Sequence, residues 1–160
     1  MLFPITSDGF WRIAPDFLKP LVEMTPAMGL ETNFFPMGDP DLDETPGCVM
    51  LRMFPGYVLE RHSHTCERFE TIVSGTLYVG DDVLGPGDVM TATAGEFYGP
   101  HTAGPEGCVT VEVFSSFKAS YQPMFELPDG SAKSFNYMAG EVPPAEVMAA
   151  ARLNAPGVPA

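Results

Sequence analysis

The chain has 160 residues, 45% of them hydrophobic and 18% charged, with a formal net charge of −13. That length and composition fit one globular domain able to bury its own core and exclude a largely disordered chain. The acidic charge repels phosphate backbones and anionic lipid, so the expected partner is a small-molecule substrate or ligand, with no nucleic acid and no membrane.

The amino terminus, MLFPITSDGF, has no basic stretch ahead of an apolar one, and no run of about 18 apolar residues occurs anywhere, so neither secretion nor a membrane span is signalled. In residues 1–47, PDFLKPLVEM predicts a short helix or turn and GLETNFFPMG a strand, followed by an acidic loop, DPDLDETPG. Residues 48–117 hold six β-branched and aromatic runs, CVMLRMF, YVLE, FETIVS, TLYV, DVMTAT and CVTVEVFSSF. Turn chemistry separates them at Pro55-Gly56, Ser74-Gly75, Gly80-Asp81-Asp82, Gly85-Pro86-Gly87-Asp88 and Ala103 to Gly107. This rhythm predicts an all-β barrel or sandwich. In residues 118–160 a hairpin is expected around Pro128-Asp129-Gly130, then a short helix over PPAEVMAAARL, whose prolines suit a first helical turn, and a fraying end, NAPGVPA. Cys48, Cys66 and Cys108 are an odd, widely spaced set without a C-x-x-C pair, which predicts free thiols and a cytoplasmic location.

The stretch from Gly56 to Thr102 carries a more specific pattern. Gly56, His62, His64 and Gly75 fall on G-x5-H-x-H-x(3,4)-E-x6-G, and Gly87 and Gly95 fall on G-x5-P-x-G-x2-H-x3-N. These are the two motifs of the cupins, and the chain resembles that family. The resemblance implies a double-stranded β-helix, the cupin jelly roll, with a short carboxy-terminal helix. It also implies a homodimer and a divalent metal (Fe, Mn, Ni or Zn) held in the barrel. The chain departs from the family pattern at Arg68 or Phe69, one of which stands where the glutamate ligand belongs according to a spacer of three or four residues, and at Tyr98, where the last histidine belongs. Thr93 and Thr102 replace the proline and asparagine, so the second motif persists as a glycine frame.

Side chains two apart on a strand share a face, so His62 and His64 can converge on one ion. Glu70 has the alternation parity of residue 68 and points inward on a regular strand, either to complete a metal site or to pair with Arg68 or Arg61. His101 reaches the same pocket if the backbone kinks after Gly99-Pro100. Tyr98 is a candidate catalytic residue, as a phenolate ligand or as an acid or base, should its pKa be lowered; the alternative is a core aromatic. Arg68 in place of a carboxylate would favour an anionic ligand, unless it pairs with Glu67 or Glu70. Met50, Met53, Met90, Phe54, Phe69, Phe97 and Phe114 are candidates to line an apolar cavity.

Three functions stay open on these residues. One is a metal-dependent dioxygenase, lyase or isomerase using His62 and His64 with Glu70 or His101. Another is a metal-free ligand-binding or sensor barrel. The third is a metal-independent, epimerase-like enzyme in which Tyr98 and a histidine exchange protons with substrate.

Overall fold

The computed structural model describes residues 1–152. Seven strands form one antiparallel sheet: β1 (Leu30–Pro36), β2 (Gly47–Met53), β3 (Val58–Leu59), β4 (Arg68–Val79), β5 (Asp82–Leu84), β6 (Val89–Ala92) and β7 (His101–Phe114). Their order is β1-β2-β7-β4-β5, with β3 pairing β7 and β6 pairing β4. In β2 every second residue, Gly47, Val49, Leu51 and Met53, is buried, as a strand with one face on the core requires.

The predicted elements lie largely where the sequence put them. Helix α1 (Lys19–Met24) has Pro20 in its first turn, and Leu18 and Val22, one turn apart, are fully buried against Phe34, Val49, Leu51, Phe114 and Phe117. A short helix, α2 (Phe117–Ser120), follows β7 and is capped by the Ser116 side chain, which accepts from Ala119 N. The expected hairpin is β8 (Met124–Glu126) with β9 (Ala132–Ser134), and the expected terminal helix is α3 (Ala145–Arg152). Phe125, Phe135 and Val147 form a small core of their own beneath α3. The expected fraying end, NAPGVPA, lies outside the described residues.

Two expected turns are not turns. β4 runs through Ser74-Gly75 and β7 through Ala103 to Gly107, pairing with each other across register shifts. A Cβ on Gly75, whose φ is +78°, would stand 2.1 Å from the Gly107 carbonyl oxygen, so this glycine marks a close approach of two backbones inside a ladder. The apolar residues expected to line a cavity also divide. Met53 and Phe114 are core, whereas Phe54 and Phe69 are 37% and 42% exposed. Cys48, Cys66 and Cys108 are free thiols. Among the described residues no helix is long and apolar enough to cross a membrane.

Candidate functional site

The His-x-His triplet is a short extended piece held on both edges. His62 exchanges backbone hydrogen bonds with Tyr98 (3.1 and 3.0 Å), Ser63 with Met124 (3.0 and 2.8 Å), and the His64 carbonyl accepts from Gly95 N at 2.7 Å. Alternation then sets both imidazoles on one side, with ring centroids 5.1 Å apart. Each Nδ1 is 2.6–2.7 Å from a backbone carbonyl: His62 donates to Glu60 O, and His64 reaches across to α2 and donates to Ala119 O. A carbonyl cannot donate, so Nδ1 carries the proton in both rings and each Nε2 keeps a lone pair. Burial, then His64 and Arg68, holds His62 well below the ordinary imidazole pKa; burial also lowers His64, against the opposing pull of Ala119 O and Glu112. Both rings are neutral near pH 7.

Arg68 lies beneath them, 3% exposed. Its Nε and Nη2 donate to Glu112 Oε1 at 2.7 and 2.5 Å, Nη2 also bonds Glu70, and the guanidinium sits 4.3 Å over the Tyr98 ring. Burial alone would lower its pKa, but Glu112 and Glu70 hold it above the usual value. The expectation that Arg68 binds an anionic ligand is corrected: two carboxylates neutralise this cation inside the barrel, leaving no exposed charge to meet one.

Glu70 points inward as its parity predicts and is fully buried, with Oε2 on Arg68 and Oε1 unpartnered. Burial first, and then Glu112 beside it, raise its pKa to about 7 against the pull of Arg68. His101 opens β7 opposite Leu59 and Val79, 1% exposed, with neither ring nitrogen partnered, and burial followed by Arg68 lowers its pKa to about 3. Tyr98 is the common neighbour, with ring centroids 4.7 Å from His62, 6.2 Å from His64 and 5.7 Å from His101. Its hydroxyl is buried and unpartnered, and burial outweighs Arg68 to push its pKa above the ordinary phenol. Burial thus favours the protonated phenol, the reverse of the lowered pKa that a phenolate ligand would need.

The donor set decides how well a divalent ion fits. His62 and His64 have the ring separation and the Nδ1 support of a metal-binding pair. Beyond that pair the fit ends. Among the described residues no three His, Cys, Asp or Glu side chains gather closely enough to hold an ion. The carboxylate position is a guanidinium, Glu70 and Glu112 are turned to that guanidinium, and His101 packs on Tyr98. The expected set of His62, His64, Glu70 and His101 is thus not assembled around one point, because an internal cation has claimed its carboxylate.

Sequence reasoning missed Glu112, which lies in CVTVEVF on the buried face that Thr110 and Phe114 share. A glutamate at an inward position of an apolar strand is the signal that could have found it. It also missed the cavity. His62, His64 and Glu112 share a hollow of about 150 Å³ with apolar walls that include Leu21, Phe34 and Tyr121. A second hollow of about 140 Å³, with Met24, Tyr57 and Met148 on its wall, shares His62, Leu21, Leu30 and Leu59 with the first. His62 therefore stands where two lobes meet.

No family model matches the sequence, and no curated protein matches it. Solved structures similar to the chain include an RmlC-like cupin protein of Ralstonia eutropha, 17% identical over 66% of this chain and 67% of that one, with a TM-score of 0.48. The polyketide cyclase RemF of Streptomyces resistomycificus is 24% identical over 54% of this chain and 66% of its own, with a TM-score of 0.42. Oxalate decarboxylase of Bacillus subtilis is 21% identical over 76% of this chain, which spans only 32% of that protein, with a TM-score of 0.49. The strand order, the glycines of both motifs and the His-x-His pair on the barrel wall give this chain the cupin jelly-roll fold.

Proposed function

We propose that the chain is a small-molecule-binding barrel that works without a resident metal, using His62 and His64 as neutral hydrogen-bond acceptors for the head of a largely apolar ligand. The observation that carries this reading is the commitment of both Nδ1 protons to backbone carbonyls, which leaves two unprotonated Nε2 atoms on rings that line an apolar hollow. A ligand entering there meets bases held neutral by burial.

A second reading, proton-transfer catalysis by a histidine and Tyr98, is favoured by the 4.7 Å contact between the His62 and Tyr98 rings. It ranks below binding because Tyr98 is absent from the wall of either lobe, and its hydroxyl is buried with no hydrogen-bond partner. The metalloenzyme reading ranks third, since Arg68 holds the carboxylates such a site would need.

Elemental analysis by ICP-MS of chain purified without a histidine tag, beside the His62→Ala/His64→Ala double substitution, separates the readings. The expected result is no stoichiometric Fe, Mn, Ni or Zn in either protein and a retained organic molecule in the native one. Stoichiometric metal lost with the two imidazoles would overturn the proposal.

A further inference from the structure

Buried polar groups differ in whether the fold itself uses them. Asn33, fully buried in β1, donates from Nδ2 to Phe10 O at 3.3 Å and accepts from Met50 N at 3.2 Å. Thr25 and Ser120, on the wall of the hollow, donate to Val22 O (3.3 Å) and Phe117 O (2.6 Å), and Glu112 holds Arg68. Thr32, on the same wall, is not used in this way: it is 3% exposed, and its Oγ1 has no hydrogen-bond partner. It stands in the middle of β1 opposite Leu51, and its neighbours along the wall on β1 and β2, Leu30, Phe34, Val49 and Leu51, are all apolar. Valine has the same shape without a hydroxyl to strip of water, so threonine is the less stable choice for packing alone. Tyr121 and Tyr137 also line the hollow, but both side chains are half-buried and solvent reaches them.

We propose that Thr32 is a ligand-binding residue, its hydroxyl donating to a neutral oxygen of an apolar molecule held in the hollow. The inference rests on the reading of the hollow as a small-molecule site and adds a residue that discriminates among occupants. The two imidazole Nε2 atoms can only accept from a ligand, whereas Thr32 has a hydrogen to give. A ketone, ester or alcohol oxygen takes that hydrogen without bringing a charge. A carboxylate oxygen would accept it as well, but would enter a hollow whose wall holds Glu112 and no lysine or arginine. A ligand that lacks the oxygen leaves the Thr32 hydroxyl buried and unpaired, and one that carries it removes that penalty. The stability given up by placing threonine among apolar neighbours is thus the source of the discrimination.

Acetophenone and α-methylstyrene share one shape and differ by a carbonyl oxygen in place of a methylene. Titrating both by NMR into the native chain and into Thr32→Val isolates the contact. In Thr32→Val, acetophenone should weaken about fivefold or more, while α-methylstyrene stays within about twofold. Thr32→Ser, which keeps the hydroxyl, should bring the acetophenone affinity back relative to α-methylstyrene. With neither compound added, Thr32→Val should melt at least about 2 °C above the native chain, because it buries no unpaired hydroxyl. Equal weakening of both compounds, no weakening of acetophenone, no rescue by Thr32→Ser, or a lower melting midpoint for Thr32→Val would each overturn the inference and leave the pocket reading standing. Binding of neither compound to the native chain also overturns it. In that case native mass spectrometry of the purified chain separates the two failures: a retained organic molecule keeps the pocket reading, and no retained molecule removes that as well.

Discussion

Replacing Arg68 with methionine would leave Glu70 and Glu112, directly opposed in the β4–β7 register, as two buried carboxyls with no cation between them. Breaking such a group by removing one partner costs about 3–5 kcal/mol, so Arg68→Met should lower stability by that amount in a urea melt. Glu70 gives a finer readout. Its folded pKa of about 7 lies above the unfolded 4.5, so the stability linked to its proton is complete below pH 4.5 and is lost as pH rises through 7. The loss amounts to about 3 kcal/mol, and Glu70→Gln should remove this slope. His101 has the opposite sign. Its folded pKa of about 3 lies below the unfolded 6.5, so its contribution is complete above pH 6.5 and is lost as pH falls toward 3. Chemical melts of Glu70→Gln and His101→Asn across pH 3–8 should therefore flatten opposite limbs of the native profile.

At the level of elements, the barrel strands were legible because β2, β6 and the stretch of β7 from Cys108 to Phe114 obey simple alternation and because Pro and Gly punctuate them. What misled was glycine inside a strand: Gly75 looks like a turn residue when read alone, and its purpose depends on Gly107, some thirty positions away, which sequence order does not bring near. Gly75→Ala joins a positive φ to a clash with backbone that cannot swing aside, so it should cost more than about 3 kcal/mol or prevent folding, as read by circular dichroism. The site divides in the same way. Same-face placement of His62 and His64, and the inward turn of Glu70, follow from strand parity and were readable. The partners that fix their chemistry, Glu112 on β7 and Ala119 O on α2, arrive from 40 or more residues away and become visible only once the strands are paired. Arg68 shows the limit most plainly: its position was readable, but whether it faced ligand or carboxylate depended on a residue no local pattern links to it.

At the level of the whole molecule, Phe69, Val73, Val89 and Val113 are 36–56% exposed on the neighbouring strands β4, β6 and β7. Phe69 and Val113 are register partners, so the patch is continuous across the outer face of the sheet. A second copy of the chain is our proposal for what covers it. Sedimentation should give a dimer for the native chain and a monomer for Phe69→Lys/Val113→Lys; a monomeric native chain would refute the pairing.

The terminal helix has a bearing on the histidines that its distance in sequence conceals. Arg152 at the end of α3 pairs with the buried Glu60 carboxylate, and the Ala151 carbonyl accepts from Arg61 N, while Glu60's own carbonyl receives the His62 proton. Docking of α3 and the tautomer of His62 are thus two ends of one lever. If the helix lifts, the Glu60 carbonyl loses its fixed position and His62 is free to move its proton to Nε2, turning an acceptor into a donor and reversing which head groups the hollow welcomes. Arg152→Ala, a loss of only about 1 kcal/mol because that side chain is 55% exposed, should therefore show itself less in stability than in the nitrogen chemical shifts of one imidazole.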